Sequence, residues 1–467
     1  MAYVGEMEKV QKDKFKRHEE VRSTYSIFQE DGEKILQIDT YGSSRRERKD
    51  KVSQTIQVEL SRVKSICEKE KCYYDKENPK KTKKDTILNV EDVILNIKRY
   101  MNSKGFYYKE QEIKNFYLSL KSKPFVILAG ISGTGKSKLV ELFAEAIGAK
   151  EYYSIIPVKP DWTDSTELLG YKDINSKFNL GVLSKIIVKA KENMDKPYFI
   201  CIDEMNLARV EYYLGEYLSL VESRYRNKEG EIVTKEIFEK DYFSDTNICN
   251  ELYFPQNLYI IGTVNMDDTT FGFSKKVLDR VNTIEFSDVD LSDLSFLEIN
   301  VDEEISIQDC NNDFMKTNFL GLKEIWKSNL YTENLKEYVK EINNKVVEIH
   351  GVLKVYSRHF AFRVRDEIII YMVENKLYNL FDEDVAFDYQ FMQKILPIVS
   401  GNDEFTRKIL VNLLKLCFIE NDKILEEDSL ETMKKKVILE NIRYELSAKK
   451  IIHMLKGYEN GYANYWL

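Results

Sequence analysis

Residues 130–137 read Gly130-Ile131-Ser132-Gly133-Thr134-Gly135-Lys136-Ser137 and fit G-x-x-x-x-G-K-[ST] at every position. The glycines let the backbone wrap so that several N–H groups face one point, where a phosphate would sit. Lys136 would neutralise β- and γ-phosphate charge, and the Ser137 hydroxyl would hold Mg²⁺. A second run, 197–204 (PYFICIDE), begins as an apolar strand and ends in two carboxylates, with Asp203 standing 67 residues beyond Lys136. Asp203 is expected at the strand tip as the other magnesium residue. Glu204 points elsewhere and could orient or deprotonate an attacking water. A third run, 258–264 (LYIIGTV), ends in Asn265, whose amide could hold that water or sense the γ-phosphate. Arg280 follows a short helix expected over 274–279, a place from which it could reach a neighbouring subunit's phosphate.

These residues need a scaffold. The run 125–129 (FVILA) reads as a buried strand leading straight into the glycine loop. The next helix lines up Leu139, Leu142, Phe143, Ala146 and Ile147 and stops at Gly148, so its N-terminus faces the anion. Helices are expected over 90–103 and 109–121. Strands then alternate with helices to about residue 285, and 330–455 reads as helix almost throughout. That order describes an α/β nucleotide-binding core with a C-terminal helical lobe. The insertion 224–255 carries a turn signal at 227–230 and suggests a hairpin. Asp164-Ser165-Thr166-Glu167 reads as a helix cap, with Trp162 beside it as a packing residue or a subunit contact.

Ahead of the core, 24–28 and 35–41 read as strands flanking the turn signal Asp31-Gly32, and 52–58 alternates like a third strand. With a helical pattern over 60–67 they make a small β-β-β-α module. Residues 1–22 read as a helix or an arm. A basic loop spans 43–51, and 76–85, with five lysines, reads as a tether or a phosphate-contacting segment. The expected domains are 1–85, 86–290 and 291–467.

The chain has 467 residues, 43% hydrophobic and 32% charged, which excludes a wholly disordered protein. The net charge of −8 divides unevenly. Residues 1–85 hold 21 Lys and Arg against 17 Asp and Glu, and the remainder holds 49 against 61. Six cysteines include no CxxC pair, and the four histidines are not spaced as a ligand set. The N-terminus has no apolar signal-type run, and no apolar run approaches the ~18–20 residues needed to cross a bilayer. A cytoplasmic protein without membrane contact is expected. No PD…(D/E)xK nuclease set is present.

With these motifs the chain resembles the McrB-type branch of the AAA+ NTPases, motor subunits of modification-dependent restriction systems, over roughly 124–467. Besides GISGTGKS, the resemblance rests on PDWTDSTELLGY at 160–171, CIDEMNLARVEYYLGEYLSLVES at 201–223 and GTVNMDDTTFGFSKKVLDRVNTIEF at 262–286. FRVRDEIIIYM at 362–372, QKILPIVSG at 393–401 and the tail at 447–466 add to it. It implies phosphate and magnesium roles for Lys136, Ser137 and Asp203, and a water-activating role for Glu204. Asn265 and Asp268 match the ends of the family's Asn-Thr-Ala-Asp signature, while Met266 and Asp267 depart from its middle. Arg280 falls at the inter-subunit arginine finger, and Arg363 or Arg365 at a lid arginine.

The resemblance further implies Mg²⁺, GTP or ATP as substrate, a homo-hexamer, an McrC-like nuclease partner and DNA recognition by the N-terminal module. There Tyr25, Phe28 and Tyr41 could supply an aromatic pocket, with the basic loop as its rim, or form the module's own core. Rival readings are an ATP-driven protein remodeller of the MoxR or dynein-like type and a DNA-binding regulator with an NTPase switch.

Overall fold

The computed structural model describes residues 2–4, 23–30, 33–41, 52–59, 89–175, 178–237, 252–266, 271–287, 307–327, 333–420 and 423–466. The chain divides into two units, Met1–Ile87 and Leu88–Leu467.

In the first unit, β1 (Ala2–Val4), β2 (Ser23–Glu30), β3 (Glu33–Tyr41) and β4 (Val52–Glu59) form a sheet of order β1-β4-β3-β2. The two long pairings are antiparallel, as expected for a hairpin followed by a third strand. β1 was not expected: it pairs parallel to β4 within residues read as a helix or an arm. Three residues are too few to show a period of two, so only the partner strand reveals it. The register also separates the candidate aromatics. Tyr25 lies opposite Ile38, whereas Phe28, three positions along, lies opposite Ile35 on the other face. Tyr41 reaches Thr24 on that second face, its hydroxyl 3.2 Å from Oγ1. Alternation along a strand therefore keeps Tyr25, which is 75% exposed, out of any pocket made with the other two. The expected helix over 60–67, the basic loop and the lysine-rich tether lie outside the described residues.

The second unit is built on a parallel sheet. β5 (Phe125–Gly130), β6 (Tyr153–Pro157), β7 (Tyr198–Asp203), β8 (Leu258–Asn265) and β9 (Asn282–Glu285) stand in the order β9-β5-β8-β7-β6. Their near-continuous apolar runs follow from burial on both faces. Phe125, Ile127 and Ala129 pack on one side with Ile200, Ile202 and Ile260. Val126 and Leu128 pack on the other with Phe199, Tyr259 and Ile261.

Two helices precede β5. α1 (Val90–Ser103) is capped by Asn89, which accepts from Glu91 N, and buries Val93, Ile94, Ile97 and Met101 at helical spacing. α2 (Glu110–Ser122) follows. α3 (Lys136–Ala146) carries the glycine loop at its N-terminus, and α4 (Val182–Glu192) precedes β7. The segment after Asp164 is a single helical turn with Ser165 at its N-cap position, and Asp164 just before it accepts from Thr166 N at 2.9 Å. Trp162 is buried edge-on against Tyr213, 5.3 Å between centroids, so its role within the chain is packing. The insertion forms the expected hairpin, Tyr225–Arg226 against Ile232–Val233; residues 238–251 lie outside the described set.

The C-terminal part is helical: α5 (Glu333–Val355), α6 (Phe362–Tyr378), α7 (Glu383–Gln390), α8 (Glu404–Leu416), α9 (Leu430–Leu439) and α10 (Glu445–Glu459). Its apolar faces join one side of the sheet in a continuous core. Polar ties reinforce the junction. Lys450 on α10 donates to Glu285 on β9 at 2.9 Å, and Trp466 packs on Phe273 at 5.0 Å between centroids. Among the described residues no helix is long and apolar enough to cross a membrane.

Candidate functional site

The register of three parallel strands brings the motifs together. Asn265 stands beside Gly130, and Gly262 beside Ile202, one residue before Asp203. The strands therefore end side by side at the C-terminal edge of the sheet, where open α/β sheets bind ligands. Gly130 is fixed by crowding: a Cβ there would lie 2.3 Å from the Phe286 carbonyl oxygen. Gly135 takes φ 83°, a left-handed turn that starts α3.

Lys136 is buried, and its Nζ donates to the carbonyls of Gly130 at 3.0 Å and Ile131 at 2.7 Å. Burial lowers its pKa, while Asp203 and Glu204 act to raise it. Ser132 and Gly133 are exposed at the loop's tip, and Thr134 Oγ1 donates to Ile131 O at 3.1 Å. Ser137 Oγ donates to Asp203 Oδ1 at 2.6 Å. One hydroxyl and one carboxylate at that separation are hard oxygen donors that suit Mg²⁺, which also draws ligands from phosphate and water. The donor chemistry fits the ion. When bound, Mg²⁺ would neutralise charge on the phosphates beside Ser137 and Asp203.

Glu204 occupies a left-handed conformation, φ 52° and ψ 49°, unusual for a side-chain-bearing residue. Thr263 on β8 holds it there. Its Oγ1 accepts from Glu204 N at 3.0 Å and donates to Asp203 Oδ1 at 2.6 Å. Asn265 Nδ2 donates to Glu204 Oε1 at 3.3 Å. The Glu204 carboxylate and the Asn265 amide thus face each other across the ends of β7 and β8, with Glu204 exposed.

Three residues around this site were not singled out from the sequence. Thr263 is one; the signal was a polar residue inside an otherwise apolar buried run. Asn206 is another: it is buried, donates from Nδ2 to Asn265 O at 3.1 Å and accepts at its backbone oxygen from Phe271 N at 3.0 Å. The third is Tyr108, buried between α1 and α2, whose hydroxyl donates to Gly135 O at 2.8 Å. That same carbonyl accepts from Leu139 N in the first turn of α3. No local pattern could connect Tyr108 to a loop 27 residues away.

Arg280 lies apart from this constellation. Its side chain is 14% exposed, donates to Lys276 O at 2.5 Å and faces Glu222 of the same chain at 3.7 Å. Arg363 also pairs with Glu222, at 2.6 Å, and Arg365 with its neighbour Asp366. Asp268 lies outside the described residues.

Residues 125–281 match the family described as AAA domain (dynein-related subfamily). Residues 304–462 match a family described only as a Domain of unknown function (DUF8727). The chain is similar to the Type IV methyl-directed restriction enzyme EcoKMcrB subunit of Escherichia coli (strain K12), 26% identical over 187 residues. That stretch covers 39% of this chain and 38% of the relative, so well under half of either protein is compared.

Proposed function

From an AAA+ NTPase core related to the McrB subunit, we propose a nucleotide-driven ring motor of an McrBC-like DNA restriction or antiphage system. The observation that carries this reading is the cluster of Lys136, Ser137, Asp203, Glu204 and Asn265 at one sheet edge. The loop from Gly130 to Ser137 would wrap the phosphates, and Lys136 would leave its carbonyl partners to meet them. Glu204 would take the proton of the attacking water while Asn265 fixes the water's place, with Thr263 holding the backbone that aims Glu204. Asp268 would assist at the γ-phosphate. Arg280 would complete the site of a second copy, in a homo-hexamer. A separate McrC-like nuclease would cut DNA, and the N-terminal module would bind it. A cytoplasmic setting fits such a task.

The decisive measurement is steady-state hydrolysis of GTP and ATP with Mg²⁺, with and without an McrC-like nuclease. Hydrolysis of one nucleotide, accelerated by the nuclease, is expected. Glu204→Gln should lower kcat by ~100-fold or more while nucleotide binding persists. Normal turnover by that variant would remove the catalytic assignment. A second reading, an ATP-driven remodeller of protein partners, draws on the dynein-related character of the matched family. Hydrolysis stimulated by a folded protein substrate, and by no nuclease, would favour it.

A further inference from the structure

Glu222 lies near the end of the 201–223 run with no role of its own from the sequence, yet three cations from distant parts of the chain converge on its carboxylate. Oε1 lies 3.2 Å from Lys123 Nζ and 3.7 Å from Arg280 Nε, and Oε2 lies 2.6 Å from Arg363 Nε. Lys123 stands just before β5, Arg280 just before β9, and Arg363 in the first turn of α6. Behind them Glu367, also on α6, is buried between Lys123 and Lys394, and Lys394 donates to Val281 O at 2.7 Å. The peptide next to Arg280 is therefore anchored to the same network as its side chain.

The arrangement has an electrostatic logic. Two guanidinium groups repel, and partial burial weakens the screening that would let them coexist unaided. The side chains of Glu222, Arg280 and Arg363 are 24%, 14% and 35% exposed, so the shared carboxylate works at reduced dielectric. Glu367 shares Lys123 with Glu222, so the Glu222 carboxylate balances the two arginines as well as part of the Lys123 charge. Asp279 also borders the cluster; burial raises its carboxyl pKa, while Lys394, Arg363 and Arg280 act to lower it.

We propose that Glu222 is a positioning residue for Arg280, fixing its guanidinium for a phosphate on a second copy and linking that placement to the helical lobe through Arg363. This rests on the reading of Arg280 as the residue that completes a neighbouring site.

The test is a double-mutant comparison on the full chain, reading kcat and KM for GTP and ATP together with thermal unfolding. Arg280→Ala and Glu222→Gln should each lower kcat by about tenfold or more with little change in KM. The double variant should be no slower than Arg280→Ala alone, because the two residues act as one unit. If Glu222→Gln does not fold, Glu222→Asp, which keeps the charge but withdraws it by one methylene, enters the same comparison. Wild-type turnover by the Glu222 variant, or losses that multiply in the double variant, would overturn the role of Glu222 and leave the finger standing. Normal turnover by Arg280→Ala would remove the finger itself, and with it the role of Glu222.

Discussion

Thr263 shows how much of the site depends on one hydroxyl. It accepts the N–H of Glu204 and donates to Asp203, and so fixes the left-handed backbone at Glu204. Thr263→Val keeps the volume and removes both bonds. The Glu204 amide then loses its acceptor, and the carboxylate is free to leave its aim at Asn265. We expect kcat to fall by roughly tenfold while the affinity for Mg-nucleotide changes little. Equilibrium binding of a fluorescent nucleotide, measured beside turnover, separates the two effects. At this scale the glycine loop, Asp203, Glu204 and Asn265 were legible because each is a chemical type at the end of a recognisable run. Thr263 and Tyr108 were not, because their partners lie on other elements. Arg280 is legible as a residue, but nothing along the 201–223 run marks the distant partners of Glu222.

At the level of elements, α6 joins the helical lobe to the sheet through charge as well as apolar packing. Burial opposes ionisation of Glu367, but Lys123 and Lys394 outweigh it and hold the carboxyl pKa below its ordinary value of 4.5. A group depressed in the folded state contributes stability that is present above the unfolded pKa and lost as pH falls through the folded one. The contribution of Glu367 is therefore full above about pH 5 and vanishes in more acidic solution. Glu367→Gln removes the ion-pair partner of buried Lys394 and leaves Lys123 with Glu222 alone, and should cost about 3–5 kcal/mol near neutral pH. Urea unfolding across pH checks this: the gap between wild type and variant should narrow as the solution is acidified below about pH 4.5. A gap independent of pH would mean that the ion pairs carry none of it. The elements themselves were readable, with α1, α2 and the three motif-bearing strands falling within a residue or two of expectation. β1 escaped notice because a three-residue strand has no period to detect.

For the whole molecule, the division at residues 87 and 88 makes a prediction of its own. A chain spanning 88–467 contains the sheet with its two core layers, the site and the helical lobe, and should unfold cooperatively and still hydrolyse nucleotide. Circular dichroism melts and turnover of that fragment provide the check. A molten fragment would show that the N-terminal sheet completes the fold. The phosphate-loop motif, the alternation of strand and helix and the uneven charge are all legible along the chain, since these are properties of neighbouring residues. The strand order β9-β5-β8-β7-β6, the hold of Tyr108 on Gly135, and the meeting of Lys123, Glu222, Arg280 and Arg363 emerge only in the folded chain. The physical reason is reach. A motif is set by bonds along the chain, whereas a hydrogen bond or ion pair between residues far apart in sequence exists only once the sheet and its helices have fixed where each one stands.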